Sequence, residues 1–432
     1  GFACGLISPT ALELPAVRAE DPQETLQLSR QDITEAYVYL VGRLLVLRQE
    51  RLDFEEGFEW NKLVHRAPGG VGWANPNLDV VYSEAWVAVD ERTPVLLEIP
   101  EIKGRYYTWQ MLNGWGETVL NINERTFPAR PHGKYAVCLK GSRPPIPADA
   151  LRVEVPCRTS RVLVRIEIGA DPQEAVQLQQ QLRLSPLGQP QVEPRIEVPI
   201  FENRDLPDVD PFDYALDILD GEPDINPDMD QVRSLVRAVV ELENSGPEGR
   251  RHVARVVRFK ALPALVKRFL KPGPVENGWT RPYAVGNYGS DYWSRTVVNF
   301  EGIWANNTRE VVYFGNVGLD GSEVYTQTFP KEALPESKAK YYWSVMAIDN
   351  DEFRVIPNPL SRYLLNKESP LHYNADGSLT LVYAARRPVG YPESNWLPTP
   401  EDADFTLTFR YYGPEADVIT GKYVPPPVVR VQ

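Results

Sequence analysis

No long apolar run occurs in this chain. None of its 432 residues belongs to a stretch of about 18 consecutive hydrophobic residues, which excludes a membrane-spanning helix. Cysteine is scarce: Cys4, Cys138 and Cys157 are too few for the framework of a small disulfide-stapled domain. Histidine is also scarce, and His65, His132, His252 and His372 fall at no metal-ligand spacing. HExxH and paired-cysteine motifs are missing, so no metal is expected. GxSxG, P-loop and GxGxxG motifs are missing too, and no cofactor is expected. Basic residues are outnumbered, giving a net charge of −13. That weighs against a nucleic-acid partner, which needs a basic face, and gives no help to adsorption on an anionic membrane.

What is present is a globular composition, 43% hydrophobic and 24% charged. The 40 prolines, with 10 Trp, 21 Tyr and 14 Phe, favour short strands joined by rigid turns over a helical bundle. The length exceeds one ordinary core and implies two domains.

Residues 1–24 carry Pro9, Pro15 and Pro22 without a regular period and read as an extended arm. A helical lead-in follows over 25–72. Ile33, Tyr37, Leu40, Leu44 and Leu47 mark an apolar stripe on a helix from Ser29 to Leu52. The first β domain spans 73–210, with strands predicted at 79–89, 94–99, 105–113, 118–123, 134–140, 151–155, 161–168 and 196–201. A short helix is expected at 172–184. A helical block spans 211–272, with Val232, Leu235, Val236, Val239 and Val240 on one face. The acids ahead of it lack calcium-loop chemistry, because Asp224-Ile-Asn-Pro-Asp-Met-Asp holds a proline and no glycine. The second β domain spans 273–432, with strands predicted at 294–300, 309–315, 323–329, 341–348, 353–356, 379–384, 405–411 and 427–431. The two β regions echo each other. Val80-Val-Tyr82 and Val311-Val-Tyr313 each precede a Tyr-Tyr strand and then a glycine turn, at Gly133 and Gly377. The fold class expected is mainly β, with two jelly-roll-like sandwiches and a helical block between them.

Asp79, Tyr82, Arg105, Tyr107 and Gln110 form a polar and aromatic constellation on neighbouring strands. Strand alternation points Tyr107 away from Tyr106 and from Gln110, so the five cannot share one face. Trp73, Trp86, Trp109, Trp115, Trp304 and Trp396 are candidates for stacking on sugar rings or for the core. Cys138 and Cys157, in strand-like runs, either pair across a hairpin or stay as buried thiols.

These residues resemble a bacterial two-domain family, a domain of unknown function 1254 followed by a domain of unknown function 1214. The first resemblance rests on Asn75-Pro-Asn, Asp79-Val-Val-Tyr-Ser83, Ala85-Trp86, Pro94 to Pro100 and Arg105-Tyr-Tyr107 with Gln110. The second rests on Tyr342-Trp-Ser344, Ser361-Arg-Tyr363, Tyr373 to Leu379, Asn395-Trp-Leu-Pro398 and Arg410 to Pro414. Val80 departs from the pattern, where a small residue such as Thr is usual. The resemblance implies two jelly-roll-like domains, a periplasmic or extracellular setting and no settled activity. Arg362, Asn395 and Trp396 extend the candidate ligand set into the second domain.

The function expected is that of a secreted structural or binding protein. It would self-assemble into an oligomer or filament through the N-terminal arm and interact with carbohydrate or another polymer. The alternative is a secreted hydrolase of a saccharide or polymer, with an acidic and aromatic site on the first β domain that pairs Asp79 with Glu98 or Glu117.

Overall fold

A computed structural model describes residues 28–69 and 74–432. The expected arm over 1–24, with Cys4, and Trp73 lie outside those residues.

The first helix, α1 (Arg30–Glu56), begins at a capping box. The Ser29 hydroxyl accepts from the Asp32 amide, and the Asp32 carboxylate accepts from the Ser29 amide. Gly57, at φ 115°, ends it with a left-handed cap. The single apolar stripe read from the sequence understates its role. Every residue from Tyr37 to Leu47 is buried, including Arg43, so the helix lies inside the molecule rather than on a surface. Gly42 permits this. A Cβ there would stand 2.6 Å from the Thr296 hydroxyl oxygen, on a helix packed across α1.

The first sandwich has eight strands: β1 (Val80–Ala88), β2 (Val95–Ile99), β3 (Tyr107–Leu112), β4 (Thr118–Ile122), β5 (Gly133–Leu139), β6 (Leu151–Val155), β7 (Thr159–Glu167) and β8 (Arg183–Pro186). One sheet has the order β1-β7-β3-β4, edged by the short strand Val64–His65, and the other has the order β6-β5-β2-β8. The second sandwich has β9 (Val311–Leu319), β10 (Tyr325–Phe329), β11 (Ala339–Asp349), β12 (Leu364–Asn366), β13 (Leu379–Ala384), β14 (Trp396–Pro398), β15 (Phe405–Pro414) and β16 (Val429–Arg430). Its sheets run β9-β15-β11-β12, edged by the short strands Trp279–Thr280 and Val275–Glu276, and β14-β13-β10-β16. Apart from the short edge strands, the two orders are the same. The one parallel pair in each, β5 with β6 and β13 with β14, also corresponds. The sequence echo is thus a repeated topology. Register shifts one detail: Thr108 lies opposite Arg165 and Ser344 opposite Arg410, which makes Tyr106 the counterpart of Tyr342 rather than of Tyr341.

Alternation builds each core. Val81, Tyr107, Trp109, Val162 and Val164 of one sheet meet Val95, Leu97, Tyr135 and Val137 of the other. Phe314, Trp343, Val345 and Phe409 meet Phe329, Leu379 and Leu381 in the second sandwich. Each such side chain contributes about 1.5–3 kcal/mol by leaving water.

The other α-helices are α2 (Pro172–Gln179) on the first sandwich, then α3 (Ala215–Gly221), α4 (Asp230–Asn244), α5 (Pro247–Val256), α6 (Leu262–Leu270), α7 (Tyr292–Glu301) and the short α8 (Ala416–Ile419) on the second sandwich. Helices α3 to α7 join α1 in one apolar cluster. Three expectations need correction. The β-branched run at 294–300 is α7, because the Asp291 carboxylate caps it by accepting from the Ser294 amide and hydroxyl. Residues 196–201 form no ladder, since Arg51 and Arg48 of α1 occupy the carbonyls of Val198 and Phe201. Residues 353–356 make only a single bridge, Val355 with Ile348. The two cysteines are separate buried thiols. Cys138 faces Arg152, and Cys157 lies beyond the end of β6 against the Ser160 hydroxyl.

Candidate functional site

A ten-residue repeat positions the site. Trp73-Ala-Asn-Pro-Asn-Leu-Asp-Val-Val-Tyr82 and Trp304-Ala-Asn-Asn-Thr-Arg-Glu-Val-Val-Tyr313 lead into β1 and β9. Tyr82 lies opposite Arg165 of β7, and Tyr313 opposite Arg410 of β15. Each arginine reaches into the other copy of the repeat. Arg165 donates to the Trp304 carbonyl at 2.9 Å. Arg410 donates to the carbonyls of Asn75 and Pro76 at 2.8 and 3.0 Å. The halves therefore clasp one another through equivalent residues.

The outer face of the β1-β7-β3-β4 sheet thus meets that of the β9-β15-β11-β12 sheet in a seam rich in buried polar groups. The repeat's acids serve the opposite halves. Asp79 accepts from Asn366 at 2.7 Å. Glu310 accepts from Tyr106 at 2.9 Å, Asn123 at 3.1 Å and Arg125 at 2.6 Å. Burial pushes the Asp79 carboxyl above its usual range, against the pull of Ser344, Asn366 and Arg410. The Tyr342 and Tyr412 rings stack at 4.5 Å, and Tyr106 meets Tyr412 edge-on at 4.8 Å.

At one end of this seam the halves part around a cavity of about 100 Å³. Its polar wall includes the two Tyr–Arg pairs with Asn75 and Asn77, and its apolar wall includes Val285, Val298, Ile303, Phe314 and Phe353. Glu301, the last residue of α7, faces into it. The residue is half-buried, and desolvation drives its carboxyl well above the ordinary range. Among the described residues it has no hydrogen-bond or ion-pair partner. Glu301 breaks the internal symmetry: three residues before the repeat's tryptophan, the first copy has Gly70. The backbone is strained nearby. Asn75, Trp304 and Phe353 all have positive φ, at 50°, 69° and 56°. Such conformations persist where the surrounding structure enforces them, and they collect at functional sites.

The residues expected to bind ligand divide. Tyr82 lines the cavity. Gln110 is one step behind it, accepting from Arg165 and donating to Thr118 at 2.8 Å. Asp79 belongs to the seam. Tyr107 points the other way, into the sandwich core, and its hydroxyl donates to the Pro131 carbonyl at 2.8 Å, as alternation requires. Arg105 ties down the Glu167 carbonyl at 3.0 Å and pairs with Glu174. Arg362 donates to the carbonyls of Glu393 and Trp396. Asn395 brackets His372, and the Trp396 indole donates to Ala384. These last five are structural ties, far in kind from the cavity. The carboxylates proposed as a pair are dispersed: Glu98 lies on β2 in the opposite sheet, and Glu117 is bound by Arg295 and Asn226. Trp86, Trp109, Trp115, Trp304 and Trp396 are all buried. Ser83 pairs with His65 at 2.7 Å, and no carboxylate contacts that imidazole among the described residues. Glu301 and Arg165 carry no local sequence signal, but the full ten-residue repeat does, and it leads to both strands that hold the tyrosines.

Comparison with known proteins agrees with a two-domain organisation. Residues 60–186 match the model of a protein family of unknown function, DUF1254, and residues 315–416 match a second, DUF1214. The chain belongs to this two-domain family. The DUF1254 match covers nearly all of the first sandwich, and the DUF1214 match most of the second. No curated protein matches the chain. Among solved structures, it is similar to the VPA0106 protein from Vibrio parahaemolyticus, at 19% identity and a TM-score of 0.62, over 94% of this chain and 100% of that one. That similarity shows the fold. An uncharacterised protein from Burkholderia cenocepacia aligns over 95% of both chains at 15% identity and a TM-score of 0.47.

Proposed function

We propose that this DUF1254–DUF1214 protein binds a small molecule in the cavity between its two sandwiches. The ligand has a compact apolar body and a cationic or hydrogen-bonding group that meets Glu301. The observation that carries this reading is the carboxyl of Glu301, which among the described residues has no partner and faces a mainly apolar cavity. Such surroundings disfavour an unpaired charge, and folds tolerate such groups where a ligand uses them. The Tyr82–Arg165 and Tyr313–Arg410 pairs supply the polar end.

The test is calorimetric titration with short primary alkylamines, and with alcohols of the same length, as probes. Amines bind the wild type with release of the Glu301 proton, so the heat varies with the buffer. Glu301→Gln weakens amine binding by about tenfold or more, the worth of a charge-assisted hydrogen bond, and leaves alcohols little changed. If no probe binds, or if Glu301→Gln binds amines as tightly as the wild type, the reading fails.

The raised carboxyl also favours a second reading. A carboxylic acid kept neutral by burial is suited to general-acid catalysis, so the hydrolase alternative passes from Asp79 to Glu301. The self-assembling, secreted, polymer-binding reading is a separate proposal that rests on residues 1–24. Deleting them shrinks the particle in light scattering if it holds, and an unchanged size rejects it.

A further inference from the structure

Helices α5 and α6 are joined by a π-helical turn, Val257–Ala261, into one continuous helix from Pro247 to Leu270. This helix is apolar on two sides. Val253, Val256, Val257, Ala261, Leu265 and Phe269 pack into the core. On the outer side Phe259 is 68% exposed, Leu270 64% and Val266 49%. Tyr283, 63% exposed, lies beside the same helix, with the Arg268 guanidinium over its ring at 4.8 Å. Large apolar side chains gathered on one surface mark an interaction site.

The charge on this helix is as unusual as its exposure. From Arg250 to Lys271 there are eight Lys and Arg and no acid, in a chain whose net charge is −13. Arg250 is held by Asp213 and Glu243, and Arg258 by Asp208. Arg255, Lys260, Lys267 and Lys271 have no carboxylate partner among the described residues. At helical spacing Lys260, Lys267 and Lys271 fall along one flank of the Phe259–Val266–Leu270 stripe, and Arg255 lies nearly in line with Phe259. An apolar stripe bordered by unpaired cations is the arrangement of a helix that lies in the plane of a membrane surface.

We propose that this face docks on an anionic lipid bilayer. Phe259, Val266 and Leu270 enter the boundary between headgroups and acyl chains, and the flanking cations meet the lipid phosphates. A bilayer supplies both an apolar phase and negative charge. A second copy in face-to-face contact would instead bring two sets of unpaired cations together. The net acidity of the chain conceals this local basic face, so composition alone points away from it.

The experiment is flotation of the full chain with vesicles of phosphatidylglycerol and phosphatidylcholine in equal parts, against phosphatidylcholine alone. The protein floats with the first and not the second, and high salt releases it. Lys267→Gln and Lys271→Gln each weaken binding by about fivefold, and Phe259→Ser with Leu270→Ser by about tenfold or more. The fluorescence of Phe259→Trp shifts to the blue on addition of anionic vesicles. All these positions are exposed, and an unchanged near-ultraviolet circular dichroism spectrum shows that the variants are folded. Failure of the wild type to bind anionic vesicles overturns the proposal, as does equal binding by the variants. A dimer that Phe259→Ser dissolves would assign the face to a second copy and overturn it as well.

Discussion

Replacing Glu301 with glutamine removes one ionisable group and almost no volume. Burial raises this carboxyl well above the ordinary carboxylate range, so the native state holds the proton to a higher pH than the unfolded chain does. Between the two pKa values the native state binds more protons, and stability therefore falls as pH rises. The penalty is absent below the unfolded value, grows through the window and is complete above the folded value. Each unit of elevation that the working pH has passed costs about 1.4 kcal/mol. Glutamine stays neutral and escapes the loss.

The assay is urea unfolding of both proteins at a series of pH values from acid to neutral. The variant's advantage should be small at the acid end and grow steadily towards neutrality. Glu50, Asp53, Asp79, Glu117 and Glu222 are also raised by burial and act with the same sign. They are common to both proteins, so they cancel in the difference. A difference that stays flat with pH, or that favours the wild type at neutrality, refutes the argument.

Three further outcomes are expected. Glu310→Gln leaves Arg125 without its counter-ion and should cost about 3 kcal/mol or more in urea unfolding; a loss under about 1 kcal/mol would mean that the seam is held by other contacts. Gly42→Ala forces a methyl against the Thr296 hydroxyl and should cost about 1–3 kcal/mol, with part recovered in the double variant Gly42→Ala/Thr296→Ala. Strict additivity of the two changes would show that α1 and α7 are not in that contact. Burial pushes the Cys157 thiol up to about 12, so iodoacetamide should label it only after unfolding, and rapid labelling of the native protein would contradict its burial.

Much of the architecture is legible in the chain because short strands declare themselves by β-branched and aromatic residues between turn signals. The strands of the first sandwich fall within a residue or two of the predicted spans, from β1 to β7. Alternation also separates Tyr107, which enters the sandwich core, from Gln110, which joins the seam. The run containing Val297 and Val298 is different. Its residues suit a strand, and only the Asp291 cap and the packing against α1 make it a helix. Arg362 and Asn395 look like binding groups because they are polar and stand beside aromatics, yet both satisfy backbone atoms of nearby turns. Glu301 has no local mark at all. Its character comes from what surrounds it, and those walls are drawn from segments hundreds of residues apart.

The reciprocal clasp across the seam bears on inheritance. Each half carries an arginine whose backbone acceptors belong to the other half, and an acid whose donors do as well. Neither half is a freely exchangeable cassette. A chimera joining the first half of this chain to the second half of a relative would keep both sandwiches and mismatch the surfaces between them. Recombination within the family is thus restrained to exchanges that carry both sides of the clasp, and the two modules are expected to diverge together.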